Sequence, residues 1–325
     1  MANSYHIVQY FWSFCNMDVL SEILEVLQLR GTVYFRTAFS PPWSVEVPSH
    51  GRTARFHLAA EGQCHVRVGA GPDILLNTGD LIVIPNGASH VLSDAPGRPP
   101  VGLDDVLQRV GYTGEGVFVY GGGVQGQGDT KLICGHMNFA EGVDHPLLRA
   151  LPSHLVVTAE LRARTPWLDE LLRLITRQMF ADSPGAKASV IRLTEALFIE
   201  VIRTCVDQDK NLRGIIEAME DPRIGRALSA MHRGLGREWT LDGIAREVGM
   251  SRSRFAERFQ SLLGCAPMSY LSDLRLQKAM TLLSGTSDPV QRIATQVGYR
   301  SPAAFSRAFS SHYGRSPRAV RRALE

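Results

Sequence analysis

The chain repeats itself near its C-terminus. Leu241, Ile244, Ala245, Val248 and Gly249 recur as Val290, Ile293, Ala294, Val297 and Gly298, an offset of 49 residues. Beyond that glycine the offset is 50, through Phe255/Phe305, Phe259/Phe309, Gly264/Gly314 and Pro267/Pro317. Apolar positions three and four apart, then a glycine, then a second helix anchored by two phenylalanines, specify a pair of helices joined at a tight turn. A small Ala245 or Ala294 permits close crossing, and the glycine supplies the left-handed backbone that ends the first helix. Ser251 and Ser301 are expected to cap the following helices, with Pro302 in a first turn. Asp288, Pro289, Val290 and Gln291 read as a cap, a helix-starting proline and a glutamine able to close a capping box. A joining helix is expected over Pro267–Leu283 and a basic closing helix over Ser316–Leu324.

Charge separates this tail from the rest. Residues 221–325 hold 17 Lys and Arg against 8 Asp and Glu, net +9, whereas residues 1–220 hold 18 against 24, net −6. Only the tail suits a polyanion. Outward on the two second helices lie Ser251, Arg252, Ser253, Arg254, Glu257 and Arg258, and Arg300, Ser301, Ala303, Ala304, Ser306 and Arg307. Arginine pairs bidentately with guanine edges, small residues meet thymine methyls or phosphates, and a helix so decorated fits a major groove. These twelve residues are the expected DNA-binding set, carried by helix-turn-helix units at about 240–260 and 288–311. The first unit, richer in arginine, is expected to make most base-specific contacts. Duplication outweighs the alternative, an interaction bundle with a solvated basic face.

WTLDGIAREVGMS (Trp239 to Ser251), IATQVGYRSPAAFSRAF (Ile293 to Phe309) and the closing Tyr313 to Pro317 resemble the signatures of the AraC/XylS transcription regulators. The resemblance covers residues 221–325 and implies two helix-turn-helix subdomains, joined by a long helix, reading adjacent major-groove segments of double-stranded promoter DNA. RNA polymerase is an implied partner if the protein activates.

Upstream the period changes. Thr32–Phe39, Ala54–Ala60, Gln63–Val68, Asp80–Pro85, Gly116–Tyr120 and Thr130–Cys134 are short β-prone runs between turn residues, which argues for a barrel or sandwich. Trp167–Phe180 and Ala186–Val206 are helical in spacing, and the second is apolar on more than one side, through Ile191, Phe198 and Ile202. It either covers the barrel alone or also meets a second copy, giving a homodimer. An amphipathic helix starts at Met17–Asp18, and Met17 is an alternative start. Gln208–Gly214 reads as a linker. The expected architecture is α+β and multidomain: an extension (1–16), a β-barrel sensor (17–158), a helical linker (159–220) and the all-α double helix-turn-helix (221–325).

Gly79 to His90 fits G-x5-P-x-G-x2-H, the second cupin motif, which closes a strand and aims a histidine into the barrel. The first motif is eroded: Pro48 and Arg55 stand where a histidine and the glutamate of a metal site belong, leaving His50. Phe39 to Trp43, Phe56-His57-Leu58, Cys134-Gly135 and His145-Pro146-Leu147 further resemble the cupin-like sensor halves of AraC-type regulators. With the usual ligands gone, a cupin metal enzyme fused to a DNA-binding module is the rival reading, and no acid–base pair supports it. Gly121–Gly128 lacks the Lys-Ser/Thr of a phosphate cradle and reads as a loop at the barrel mouth.

Two other sets are expected in the barrel. His57, His90, Cys134 and His136 offer nitrogen and sulfur that suit zinc or another divalent metal, with hydrogen-bonded core residues as the alternative. Trp43, Arg52, Arg55, His57, Arg67 and His90 are expected to line a small-molecule effector pocket, the arginines favouring an anion. Five cysteines without a disulfide-like pattern point to a reducing, cytoplasmic setting, and no apolar run reaches the roughly 18 residues of a membrane helix.

Overall fold

The computed structural model describes residues 18–51, 53–122, 129–140, 143, 145–179 and 183–322. They form two compact units: residues 29–139 with 147–213, and residues 18–28 with 140–146 and 214–322. The first described helix, α1 (Val19–Leu27), is capped by Asp18, which accepts from the Ser21 N–H, and belongs to the second unit.

The first unit is built on eleven strands: β1 (Arg30–Ser40), β2 (Ser44–Val47), β3 (Thr53–Glu61), β4 (Cys64–Val68), β5 (Asp73–Leu76), β6 (Leu81–Ile84), β7 (His90–Ser93), β8 (Val101–Gly102), β9 (Val117–Gly121), β10 (Lys131–Asn138) and β11 (Leu155–Val157). They make a six-stranded sheet, β11-β6-β3-β10-β1-β9, and a five-stranded sheet, β5-β4-β7-β2-β8. Trp43, Val45, Val66, Leu76, Ile82 and Ile84 pack within one apolar core. β2, β5, β7, β8 and β11 are not among the runs read from the sequence, because two to four residues carry too little alternation, whereas the equally short β6 is marked by its unbroken apolar Leu81–Ile84. Between β8 and β9 lies α2 (Leu103–Val110), which buries Val106. After α3 (Pro146–Ala150), α4 (Ala159–Ala163) is held at the Gly79–Asp80 turn: Asp80 Oδ1 accepts from the Ala159 N–H at 2.7 Å, and Arg162 donates to Gly79 O.

α5 (Pro166–Met179) and α6 (Ala186–Thr204) pack beside one another, and α6 packs on β1. Arg36 donates to Met179 O, and the Gly31 N–H donates to Glu195. The segment from residue 159 through 213 is therefore part of the barrel unit rather than the separate helical linker expected. Gln208–Gly214, expected as a linker, does contain the border between the two units, at 213/214, but it is helical from Lys210, where α7 (Lys210–Glu220) begins.

The second unit contains α8 (Ile224–Arg233), α9 (Leu241–Glu247), α10 (Arg252–Leu263), α11 (Pro267–Gly285), α12 (Val290–Gln296), α13 (Pro302–Tyr313) and α14 (Pro317–Arg322). Ile244, Ala245, Val248, Phe255 and Phe259 are buried in the first helix pair, and Ile293, Ala294, Val297, Phe305 and Phe309 in the second. α11 serves both: Tyr270, Leu271 and Leu274 are buried toward its start, while Leu276, Ala279, Met280 and Leu283 pack into the second core. A helix apolar all round is one enclosed by neighbours. α1 joins this unit, not the barrel, because its Val19, Ile23 and Leu27 are buried here and Glu22 accepts from Ser229 Oγ and Arg233 Nε. Tyr270 Oη meets His145 Nε2 at 2.9 Å and His232 Nε2 at 2.7 Å, which ties in the 140–146 segment. The barrel expected over 17–158 thus gives up residues 18–28 and 140–146 to the second unit, which itself begins at 214 rather than 221.

Candidate nucleic-acid interface

Each helix pair ends its first helix on a left-handed glycine, Gly249 (φ 68°) and Gly298 (φ 84°). Ser301 caps α13 as expected, its hydroxyl accepting from the Ala304 N–H. Ser251 occupies the N-cap of α10 with extended backbone but makes no side-chain cap bond. Asp288 does not cap α12. Pro289 holds that position, and the Asp288 carboxylate instead accepts from Arg292 and Gln296, side chains one and two turns along the helix.

Burial of Phe255 and Phe259 turns Ser251, Arg252, Ser253, Arg254, Glu257 and Arg258 outward, all exposed. On the second unit Arg300, Ser301, Ala303 and Arg307 are exposed, while Ala304 and Ser306 are half-buried. The arginines divide by partner. Arg258 reaches Asp221 Oδ2 at 3.1 Å, Arg252 lies 3.6 Å from Asp242, and Arg300 forks onto Glu238 with Nε–Oε1 at 2.8 Å. Burial opposes the charge on Asp221, yet the N–H groups of Ile224 and Arg223 and the Arg258 guanidinium outweigh it and hold the carboxyl below its ordinary range. Among the described residues no carboxylate pairs with Arg254 or Arg307. Sequence missed this sorting because the partners lie 37 and 62 residues away, for Arg258 and Arg300. Arg254 borders a concavity of about 550 Å³ with Arg223, Met250 and Ser261. Ala303 and Ser306 border one of about 340 Å³ with Gln291, Pro302 and Arg318.

In the barrel, β10 sets Cys134 opposite His57 and His136 opposite Arg55. His57 Nδ1 meets Cys134 Sγ at 3.1 Å, His57 Nε2 meets His90 Nε2 at 2.8 Å, and His90 Nδ1 donates to Ala88 O. Both rings of this pair are buried, at 1% exposure. Burial, then the neighbouring His90 and Arg55, holds His57 well below its ordinary pKa, and burial lowers His90 to about 4. Burial also pushes the Cys134 thiol up and Tyr34 to about 12. The cluster is therefore neutral apart from Arg55, whose Nη1 donates to Tyr34 Oη and whose buried Nε has no partner among the described residues.

The expected metal set does not converge. Two imidazole nitrogens on one zinc, each about 2.0–2.1 Å from it, stand roughly 3.3 Å apart at a tetrahedral angle, and here they touch at 2.8 Å. His136 instead stacks on Tyr34 with centroids 5.2 Å apart. Among the described residues no three His, Cys, Asp or Glu side chains are placed to hold a metal ion. The effector set is divided as well. Arg55, His57 and His90 come together, whereas Trp43 is packed in the core against Phe39. Arg67 faces away from Cys64, Val66 and Val68, the buried residues of β4, and lies 3.8 Å from Asp73. Arg52 and the stretch 123–128 lie outside the described residues, as does Met17. No helix among the described residues is long and apolar enough to cross a membrane.

A cupin family model matches residues 18–207, and a helix-turn-helix domain model matches residues 244–323. The transcriptional regulator AlkR of Acinetobacter baylyi is 28% identical over 306 residues, 94% of this chain and 99% of its own length. The regulator MtrA of Neisseria gonorrhoeae is 26% identical over 307 residues, 93% and 97% of the two chains. Among solved structures, the DNA-binding domain of AdpA in complex with a target DNA is 34% identical, covering 32% of this chain and 92% of that one, with a TM-score of 0.30. A two-sheet cupin region joined to a duplicated helix-turn-helix, matched over more than nine-tenths of the chain by such regulators, means that the chain belongs to the AraC family of DNA-binding transcription regulators that carry an N-terminal cupin domain.

Proposed function

We propose that α10 and α13 read promoter DNA chiefly through Arg254 and Arg307, and that the barrel governs this binding through a small anionic effector held at Arg55. The observation behind the first part is the free state of those two guanidinia: each is exposed and, among the described residues, unpaired by any carboxylate. Either can meet a base edge without first breaking an ion pair. Arg252, Arg258 and Arg300 serve as rim cations positioned for phosphates. This divides between one residue of each unit the base-reading role expected mostly of the first.

Arg55 carries the second part. A buried guanidinium with an unsatisfied Nε, beside neutral His57, His90, Cys134 and Tyr34, is a standing positive charge in an apolar barrel. A carboxylate or phosphate ester supplies both the missing charge and the missing acceptor. Calorimetry of the full-length chain against panels of metabolic carboxylates and phosphate esters, with Arg55→Gln as control, tests this. Heat that is unchanged in the variant sinks the Arg55 assignment. An effector identified this way should alter affinity for DNA recovered by selection, and a ligand that leaves that affinity unchanged removes the sensing role.

A further inference from the structure

Between the two helix-turn-helix units, three parts of the chain meet at one residue of the joining helix. Arg275 sits where α11 passes from the first core (Leu274) to the second (Leu276). Its Nε donates to Leu235 O at 3.0 Å and its Nη2 to Arg237 O at 2.7 Å. Both carbonyls belong to the loop that leads from α8 into α9. That loop is itself stiff: the Trp239 indole N–H donates to Gly234 O at 2.8 Å, and the Arg237 guanidinium lies 4.2 Å over the Trp239 ring.

The second unit closes on the same point. Gly298, the turn glycine before α13, lies so near that a Cβ there would stand 2.6 Å from Leu235 O and 2.6 Å from Arg275 Nη2. Gly236 faces the end of α12 just as closely, since a Cβ on it would fall 2.9 Å from Gln296 O. Two glycines and one forked cation thus bring the entry loop of the first unit against the turn of the second. The Arg300–Glu238 pair spans the same seam, but both side chains are largely exposed, and such pairs contribute little.

We infer that Arg275, seated against Gly298 and the 235–237 carbonyls, is a positioning residue that fixes the phase between α10 and α13, and hence the spacing of the two DNA segments the protein accepts. The inference rests on the reading that both helices contact DNA together. One inserted base pair turns the second segment by roughly 34–36° about the duplex axis, which a locked pair of helices cannot follow. Lysine in place of arginine keeps the charge but loses the fork that holds two carbonyls at once.

The test uses the full-length chain and DNA selected by it, in its original form and with one base pair inserted between the two protected segments. Wild type is expected to bind the inserted site about tenfold or more weaker, the factor that losing one good base contact brings. Arg275→Ala and Arg275→Lys are expected to bind the original site more weakly and to lose most of that spacing penalty, while Glu238→Gln keeps it. A folded Arg275 variant with the full wild-type penalty overturns the inference, and so does unfolding of both variants, which makes Arg275 a folding contact. Wild type indifferent to the insertion overturns instead the reading that the two helices bind together.

Discussion

Replacing Arg254 by alanine removes a guanidinium that projects from the third residue of α10 and that, among the described residues, no carboxylate holds. The free protein therefore loses no ion pair, and the whole effect falls on the complex. A bidentate guanidinium–guanine contact is worth about 1–3 kcal/mol, so binding to the selected site should weaken by about 5- to 150-fold. Preference at one base pair should flatten with it. Arg258, one turn further on, is the internal control. It already reaches Asp221 Oδ2 at 3.1 Å, and an exposed pair of this kind contributes under about 1 kcal/mol. Arg258→Ala should cost less than about tenfold, equally on all sequences, and lower the slope of log Kd against log salt by about 0.9. Fluorescence anisotropy on duplexes with each base pair changed in turn, at several salt concentrations, separates the two. The reasoning fails if Arg254→Ala loses the same factor on every duplex, scrambled ones included, or if the base-specific loss appears in Arg258→Ala.

Phe309 is fully buried in the second core, 4.7 Å from the Tyr313 ring by centroid; Phe309→Ala should cost about 3–5 kcal/mol, read as an earlier unfolding transition by circular dichroism, and a shift under about 1 kcal/mol would show that the ring is not a core anchor. Burial keeps His57 and His90 neutral in the folded barrel, while the unfolded chain protonates them near pH 6.5. Stability is thus full above that pH and falls as the pH drops from 6.5 toward 4, by up to about 1.4 kcal/mol per pH unit for each ring. Urea titrations at pH 7 and 5 should show a drop that is smaller in His57→Asn/His90→Asn, where buried His232, also lowered to about 4, still contributes, and an equal drop in both proteins removes these two rings as its source. Arg55→Met should raise the melting temperature of the ligand-free protein, because a buried charge without a counter-ion gives way to an apolar chain. A lower melting temperature would mean that Arg55 is compensated and anchors no anion.

The helix-turn-helix duplication was legible because its determinants are local: phenylalanines four apart, alanines at the crossing and glycines at the turn recur whatever surrounds them. Cap chemistry was legible only where backbone and side chain agreed. Ser301 bonds its helix, while Asp288 is drawn instead to Arg292 and Gln296. In the barrel, the Gly79–His90 motif announced the turn that delivers His90 next to His57, but a motif carries no distances, and the 2.8 Å contact between the two rings is shorter than the spacing two nitrogens sharing one zinc would keep.

By itself the sequence determined the two repeated units, their basic outer faces and a β-rich barrel upstream, since periodicity, turn residues and charge act over a few positions along the chain. Only the tertiary structure decided which arginines are free, where the domain edges run and how the two units are phased. Each of these depends on groups far apart in sequence, Arg258 on Asp221, α1 on Ser229, Arg275 on Leu235, and such pairings arise from packing rather than from any local pattern.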